Sequence, residues 1–218
     1  MPIPGSLAVL ALLIGSLLVV ANWIQSVWPE ANELSRKVIH IGCGFLLPLS
    51  WLLGLPQWMA LTAALVATAL VALNHQNRWF SLIENVERHT YGTAFYCLSI
   101  CCLIIFFWNS KPYAMLAGAF VMALADGSAS LVGRYVNSPR WKIKDQTKSL
   151  AGTTTMLMAT IGVIYCLQQG FQLDISLIKI VAIGGIVTGF EQLSFFGIDN
   201  LSVPIATSIL VYIMTASN

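Results

Sequence analysis

Apolar segments long enough to cross a membrane recur along the whole of this 218-residue chain. A transmembrane helix needs about 20 predominantly apolar residues. Eight segments reach or approach this length, and they lie at 3–23, 38–54, 57–74, 91–108, 113–133, 150–167, 175–190 and 200–216. Only 9% of the residues are charged, whereas soluble domains contain about 25%. The sequence therefore predicts an all-α, polytopic integral membrane protein of about eight transmembrane helices, or seven because two segments are short, in one domain over residues 1–218.

The basic residues concentrate in alternate connections between these segments. Nine of the 11 lysines and arginines follow the first, third and fifth segments, and two lie on the other side. The nine are Arg36, Lys37, Arg78, Arg88, Arg134, Arg140, Lys142, Lys144 and Lys148, and the two are Lys111 and Lys179. Because cytoplasmic connections carry the excess of basic residues, loops 24–37, 75–90, 134–149 and 191–199 are predicted to face the cytoplasm, with both termini opposite. The net charge of +2 gives no reason to expect a nucleic-acid partner.

An acidic residue, Asp126, lies inside the fifth apolar segment. It precedes Arg134 by eight residues, about 12 Å of helix, at a depth where an acid costs about 2.5–3.5 kcal/mol. A metal ion, a cationic partner or a water-filled cleft is needed to offset this cost. Helical spacing places Asp126, Ser130 and Gly133 on one face among small neighbours such as Gly127. The pattern predicts a ligand site, and the alternative is a helix-packing face with the acid bonded to a neighbouring helix.

The loop 134–149 is basic and ends in Lys148 and Ser149 at the start of the sixth apolar segment. Ser149 or the nearby backbone can cap that helix, whose N-terminus offers free N–H groups and a positive dipole end to an anion. A lysine beside such a terminus favours phosphate binding. The glycine spacing of a Walker A loop is missing. The alternative is a topology-setting loop that meets lipid headgroups.

Two further polar stretches fall on the predicted cytoplasmic side. Arg36 and His40 are four residues apart, on one face of the helix that enters the membrane. The stretch before the last segment contains Glu191, Asp199 and Asn200 without a basic residue. Carboxylates opposite a cationic loop suit Mg²⁺ coordination beside bound phosphates. The alternatives are an orientation signal at Arg36 and an N-cap of the last helix at Asp199.

Four blocks of sequence carry a family resemblance, and their order, spacing and membrane setting agree with it. They read ELSRKVIHIGCG, DGSASLVGRYV, KSLAGTTTM and EQLSFFGIDNLSVPIA, and they spread over the whole chain. The chain resembles the polyprenol kinase family, which includes the phytol and dolichol kinases and is distantly related to the CDP-diacylglycerol synthases. The phytol kinase branch matches best, because Asn137 and Ala151 stand where dolichol kinases have Gly and Glu.

The resemblance implies transfer of the γ-phosphoryl group of CTP to the hydroxyl of an isoprenoid alcohol such as phytol. The alcohol is expected to lie in the bilayer with its hydroxyl near the cytoplasmic face, and the nucleotide to come from the cytoplasm. Phosphoryl transfer depends on positioning, metal and cationic charge more than on covalent chemistry. The implied partners are therefore CTP, Mg²⁺, the alcohol and the lipid bilayer, and the sequence leaves the oligomeric state open.

The resemblance also implies roles for individual residues. Asp126 is expected to bind the Mg²⁺ of the nucleotide, with Asp199 on the same or a second ion. Arg36 and Lys37 are expected to meet phosphate or transition-state charge. Glu191, Asp199 or His40 is expected to accept the proton of the alcohol. The catalytic candidates are Asp126, Asp199, Glu191, Lys148, Arg36 and His40. The candidates for binding the nucleotide are Gly127, Ser130, Gly133, Arg134, Lys142, Lys144, Lys148, Ser149, Gly152, Thr153 and Lys37.

Two other functions are compatible with a polar site at one face of a membrane bundle. A cytidylyltransferase acting on phosphatidic acid shares the metal and CTP chemistry but releases pyrophosphate. The chain is short for such an enzyme and lacks its C-terminal pattern of closely spaced Lys, His, Gly and Asp. A small transporter is expected to place charges at the midplane and to show repeat symmetry, whereas the charges here lie at one face.

Overall fold

The computed structural model describes residues 2–28, 30–77, 91–144 and 146–216, apart from the side chains of residues 32 and 75–77. The helices are α1 (Ile3–Val27), α2 (Asn32–Gly44), α3 (Leu46–Leu52), α4 (Gln57–Asn77), α5 (Gly92–Phe107), α6 (Pro112–Phe120), α7 (Gly127–Tyr135), α8 (Leu150–Phe171), α9 (Leu177–Leu193) and α10 (Asp199–Ala216). A π-helical segment, Val121–Asp126, joins α6 to α7. Two strands, β1 (Arg140–Ile143) and β2 (Gln146–Ser149), precede α8. The predicted loop residues Arg78 and Arg88 lie outside the described residues.

The helices confirm the predicted all-α membrane fold. Five helical stretches among the described residues are long and apolar enough to cross a membrane. They are Ile3–Val27, Gln57–Asn74, Pro112–Tyr135, Leu150–Phe171 and Asp199–Ala216. A sixth helix, Gly92–Phe107, is apolar but shorter. The chain is therefore a multi-pass membrane protein, whereas the number of eight or seven spans and the orientation of the termini stay predictions.

The continuous rod formed by α6, the π segment and α7 lies at the centre of the bundle. Small and apolar side chains of this rod, including Ala117, Val121 and Ala125, are fully buried against α8, α9 and α10. A Cβ atom at Gly118 would lie 2.5 Å from the carbonyl oxygen of Pro204, so α6 and α10 approach closely there. By contrast, α1 and α4 are mostly exposed. Close approach through small residues is typical of membrane helices, and here it makes the helix that carries Asp126 the central one.

The connection between α7 and α8 is a β-hairpin, where the sequence predicted only a basic loop. β1 and β2 pair antiparallel, with Arg140 opposite Ser149 and Lys142 opposite Thr147. The guanidinium of Arg140 donates to the carbonyl of Arg134, 3.1 Å away, at the C-terminal end of α7. Cationic side chains stabilise the unpaired carbonyls of helix ends. The hairpin is thus fixed to α7 at one side and leads directly into the first turn of α8.

Candidate active site

Helix ends and the hairpin enclose a polar cleft of about 510 Å³ at one end of the bundle. This volume is within the usual range of small-molecule sites. The cleft is lined from α2, α5, the π segment, α7, the hairpin, and α8 to α10. The predicted site residues among its lining are Arg36, Asp126, Ser130, Gly133, Arg134, Lys148, Ser149, Gly152, Thr153, Glu191 and Asp199. The structure therefore brings most of the predicted residues together, although they are spread over more than 160 positions of the chain.

Asp126 is buried at the end of the π segment and contacts two residues of α2. Its Oδ2 lies 3.0 Å from Nζ of Lys37 and 3.3 Å from Nε2 of His40. Lys37 is 5% exposed and Asp126 8%. The sequence predicted that a metal ion, a cationic partner or a cleft must offset the energetic cost of burying this acid. The structure shows a cationic partner and an adjoining cleft. Lys37 and His40 themselves are described residues that do not line the cleft, so they reach Asp126 from behind.

Arg36, four residues before His40 on α2, lines the cleft. It forms an ion pair with Glu33, with Nη2 and Oε1 2.6 Å apart. Ser130 of α7 donates to the same carboxylate over 3.4 Å. Residues three and four apart are neighbours on a helix, so both Arg36 and Lys37 lie near His40 on α2, with Arg36 in the lining of the cleft and Lys37 on Asp126.

Lys148 and Glu191 form a second buried ion pair, between β2 and the end of α9. The Lys148 ammonium binds the Glu191 carboxylate and donates to its backbone carbonyl over 2.9 Å. Gln192 donates through Nε2 to the other carboxylate oxygen over 2.7 Å and to Oγ1 of Thr153 over 2.9 Å. Both oxygens of Glu191 are thus engaged. Gln192 was missed by the sequence reasoning, although it stands next to Glu191 in one of the four family blocks.

We expect Lys148→Met to lower the thermal stability of the purified protein, because it leaves the Glu191 carboxylate buried without its cation. In the double variant Lys148→Met/Glu191→Gln the unpaired charge is absent, so much of the loss is expected to be regained. The coupling between the two sites is expected to be roughly 0.5–3 kcal/mol. The coupling is measured by thermal unfolding, in one detergent, of the parent protein, the two single variants Lys148→Met and Glu191→Gln, and the double variant. If the stability loss of the double variant equals the sum of the losses of the two single variants, the two residues are not coupled.

Two glycines bring α7 and α8 into close contact beside the cleft. A Cβ atom on Gly152 would lie 2.9 Å from the carbonyl oxygen of Ala129 and 3.3 Å from Cα of Gly133. Ser149 caps α8, as predicted, by accepting from the Gly152 N–H over 3.1 Å. Gly133 therefore serves helix packing, the alternative considered from sequence, and also lines the cleft. The close contact sets the first turn of α8 beside Asp126.

Asp199 begins α10 and lines the cleft. Its Oδ1 accepts from the backbone N–H of the next residue, Asn200, over 3.1 Å. Asn200 donates in turn to the carbonyl of Gly92 over 3.2 Å, which links α10 to α5. Within the described part of the chain, the Asp199 carboxylate makes no ion pair, unlike Asp126 and Glu191. It is therefore the acid of the cleft that is most available to a ligand.

Besides Lys37, three residues of the predicted nucleotide site lie outside the described lining of the cleft. Nζ of Lys144 is 3.6 Å from the centroid of the Phe195 ring, a cation–π contact that ties the hairpin to the segment before α10. Lys142 lies exposed on β1. Gly127 packs against α2, since a Cβ atom there would lie 2.5 Å from Ile41. Roles of these residues in binding a nucleotide stay predictions.

The donor chemistry of the cleft suits Mg²⁺ held together with phosphates. Among the described residues, no cluster of three or more His, Cys, Asp or Glu side chains forms a complete metal site. Mg²⁺ usually binds through one or two carboxylates plus substrate phosphates and waters. Asp126 and Asp199 line the same cleft and supply the oxygen atoms required. The residues present therefore fit a Mg²⁺ ion that binds together with the phosphates of a nucleotide.

Comparison with known proteins identifies the family. No family model and no solved structure matches the chain. It is 30% identical over 216 residues to a phytol kinase of Synechocystis sp., an alignment that covers 97% of this chain and 92% of that protein. This chain belongs to the phytol kinase family. The predicted branch is thereby confirmed, whereas the relationship to CDP-diacylglycerol synthases stays a prediction.

Plant members of the family are similar over most of this chain as well. Phytol kinase 1 of Arabidopsis thaliana is 28% identical, covering 84% of this chain and 66% of its own length. A farnesol kinase of Arabidopsis thaliana is also 28% identical, covering 82% of this chain and 60% of its own length. The relatives of this chain thus include proteins named for two isoprenoid alcohols, phytol and farnesol.

Proposed function

We propose that this chain is a CTP-dependent lipid kinase, which transfers the γ-phosphoryl group to the hydroxyl of phytol or a similar prenyl alcohol. Membership of the phytol kinase family supports a prenyl alcohol kinase. The observation that carries the proposal is the cleft, which is lined by two carboxylates, Asp126 and Asp199, and also by a capped helix N-terminus and Lys148. Such a cleft provides binding groups for both a metal ion and phosphates.

The phosphates of the nucleotide are assigned to the cationic side of the cleft. The first turn of α8, at Gly152 and Thr153, brings the positive end of the helix dipole to the cleft. The free N–H groups expected from the sequence are occupied, since Ser149 accepts from Gly152, Ser138 from Ala151 and Pro139 from Leu150. Lys148 and Arg134 line the same region and add positive charge. These groups bind and orient the nucleotide, which is most of what phosphoryl transfer requires of a protein.

The opposite side of the cleft is assigned to the metal ion. Asp126 would hold Mg²⁺, which, when bound, neutralises the charge on the phosphate oxygens, and Asp199 is kept for the proton of the alcohol. Lys37 pairs with Asp126 from behind and keeps its carboxylate in place. The two carboxylates thereby set where the γ-phosphoryl group lies relative to the alcohol.

The structure supports Asp199 over Glu191 as the acceptor of the alcohol proton. Both oxygens of Glu191 are engaged, by Lys148 and by Gln192. Asp199 lines the cleft and pairs with no cation among the described residues. In the proposed step the alcohol oxygen bonds to the γ-phosphorus, the bond to the β-phosphate oxygen breaks, CDP leaves, and the proton passes to the carboxylate.

The cleft is proposed to open towards the cytoplasm. The basic residues that favour this orientation include Arg36 and Arg134, both of which line the cleft. An alkaline phosphatase fused after residue 218 and expressed in bacteria is expected to be active, because both termini are predicted to be non-cytoplasmic. A green fluorescent protein at the same position is expected to be dark. The reverse result would place the cleft on the other side.

Transfer of label from nucleotide to lipid tests the proposed activity directly. The purified protein in nanodiscs is supplied with Mg²⁺, CTP labelled at the γ-phosphate, and phytol or geranylgeraniol. Label is expected in an organic-extractable prenyl phosphate, with CDP formed in equal amount, and less label with ATP or UTP. The absence of transfer to any prenyl alcohol would refute the proposal. Pyrophosphate release with phosphatidic acid would instead indicate a cytidylyltransferase.

A further inference from the structure

We infer that His40 is a positioning residue, which orients the Asp126 carboxylate as a hydrogen-bond donor and accepts no proton from the alcohol. The inference rests on the proposed function and concerns one of its three candidate proton acceptors. It assigns the imidazole a task behind the cleft, where it controls the carboxylate that is proposed to hold the metal ion.

The two atoms that face Nε2 of His40 identify it as a donor. One is the backbone carbonyl oxygen of Met122, 3.0 Å away, and the other is Oδ2 of Asp126, 3.3 Å away. A carbonyl oxygen can only accept a hydrogen bond, and a carboxylate paired with Lys37 also accepts. Nε2 therefore carries a hydrogen atom. A nitrogen that carries a hydrogen cannot take up another from the substrate, and the imidazole as a whole lies outside the described lining of the cleft.

The imidazole is fixed from three elements of the fold. It belongs to α2, and it contacts Met122 and Asp126, which lie four positions apart in the π segment. Such segments are rare and frequently lie at functional sites. From α5, the Tyr96 hydroxyl donates to the His40 carbonyl over 2.9 Å, and the two rings meet edge to face with centroids 4.8 Å apart. The side chain of His40 is 9% exposed, so the ring has little freedom to turn.

The contacts of Asp126 show how Lys37 and His40 hold its carboxylate in one orientation. Within the described part of the chain, both partners of the carboxylate, Lys37 and His40, contact Oδ2. Asp126 also lines the cleft, so Oδ1 is left for a ligand there. Lys37 supplies charge to the pair, whereas the N–H of His40 supplies direction. Groups that orient metal-binding carboxylates in this way commonly change metal affinity by about 10–100-fold when they are removed.

Two substitutions of His40 separate a positioning role from that of a proton acceptor. His40→Gln keeps an N–H donor at a similar distance from the backbone, and His40→Leu removes it. The affinity for Mn²⁺ is measured by electron paramagnetic resonance, in the presence of a non-hydrolysable CTP analogue. We expect His40→Leu to weaken Mn²⁺ binding by about 10–100-fold and His40→Gln to restore the affinity to within a few-fold. In turnover, the Mg²⁺ requirement is expected to rise in His40→Leu with no change in the KM for the alcohol.

The opposite pattern would overturn the inference. If His40 accepts the proton, both variants lose kcat and neither changes Mn²⁺ affinity. Should His40→Leu fail to fold, Tyr96→Phe provides a milder test, because it removes the hydroxyl that holds α2 and keeps the ring. It is expected to weaken Mn²⁺ binding in the same direction, and an unchanged affinity would count against the positioning role. Mn²⁺ binding needs no turnover, so the comparison holds even if the proposed kinase activity is absent.

Discussion

Asp126→Asn is expected to abolish measurable phosphoryl transfer, a loss of roughly 10²–10³-fold or more by comparison with other charge-stabilising groups. The substitution keeps the shape of the side chain and an acceptor for Lys37 and His40. It removes the negative charge that is proposed to hold Mg²⁺ in the cleft. The labelled CTP assay in nanodiscs measures the loss, and retention in the membrane fraction with a normal elution profile shows that the variant is folded.

Two companion variants make this result interpretable. Asp174→Asn changes an exposed aspartate between α8 and α9, outside the described lining of the cleft, and is expected to leave turnover near normal. Lys37→Met/Asp126→Asn removes the buried ammonium together with its partner. It is expected to regain any stability that Asp126→Asn loses, yet to remain inactive. Near-normal turnover by Asp126→Asn would refute the assignment of this residue to the metal site.

Gly152→Ala is expected to have the second large effect, on both stability and activity. The added methyl group would lie 2.9 Å from the carbonyl oxygen of Ala129 and 3.3 Å from Cα of Gly133. Both neighbours are backbone atoms, so α7 and α8 must move apart. Overpacking of this kind costs about 1–3 kcal/mol. The movement also shifts the first turn of α8 away from Asp126, and a misplacement of about 1 Å can cost about 10²-fold in rate.

The same helix supplies the control for Gly152→Ala. Gly162 is exposed in α8, and a Cβ atom there would have no neighbour within 4 Å among the described residues. Alanine is also the better helix former, by about 1 kcal/mol. Gly162→Ala is therefore expected to keep the thermal midpoint and the turnover of the parent protein. If Gly152→Ala behaves like Gly162→Ala in both measurements, the contact between α7 and α8 does not position the site.

Several parts of the site were predictable because they depend on spacing along one helix or at one helix end. Asp126, Ser130 and Gly133 recur at helical intervals, and all three line the cleft. Ser149 precedes an apolar run, and it caps α8. Such local patterns depend on the 3.6-residue turn and on the unpaired N–H groups of a helix. They can therefore be recognised without knowledge of the neighbouring helices.

Other parts could not be predicted, because they depend on which helices lie side by side. Arg36 and Lys37 are adjacent basic residues, and only the packing of α2 on the π segment directs Lys37 to Asp126. Lys148 and Glu191 are 43 positions apart, so no periodicity links them. The hairpin has strands of four residues each, too short to show an alternating pattern, and nothing in the sequence marked the π segment.

By itself, the sequence determined that this chain folds as membrane helices and that its polar groups collect at one end. The reason is energetic, because the bilayer demands long apolar helices and penalises a charge that lacks a partner. Only the tertiary structure decided which group partners which: Lys37 and His40 with Asp126, Gln192 with Glu191, and Asp199 with no cation among the described residues. Those pairings depend on how the helices pack and rotate against one another, which no single stretch of sequence fixes.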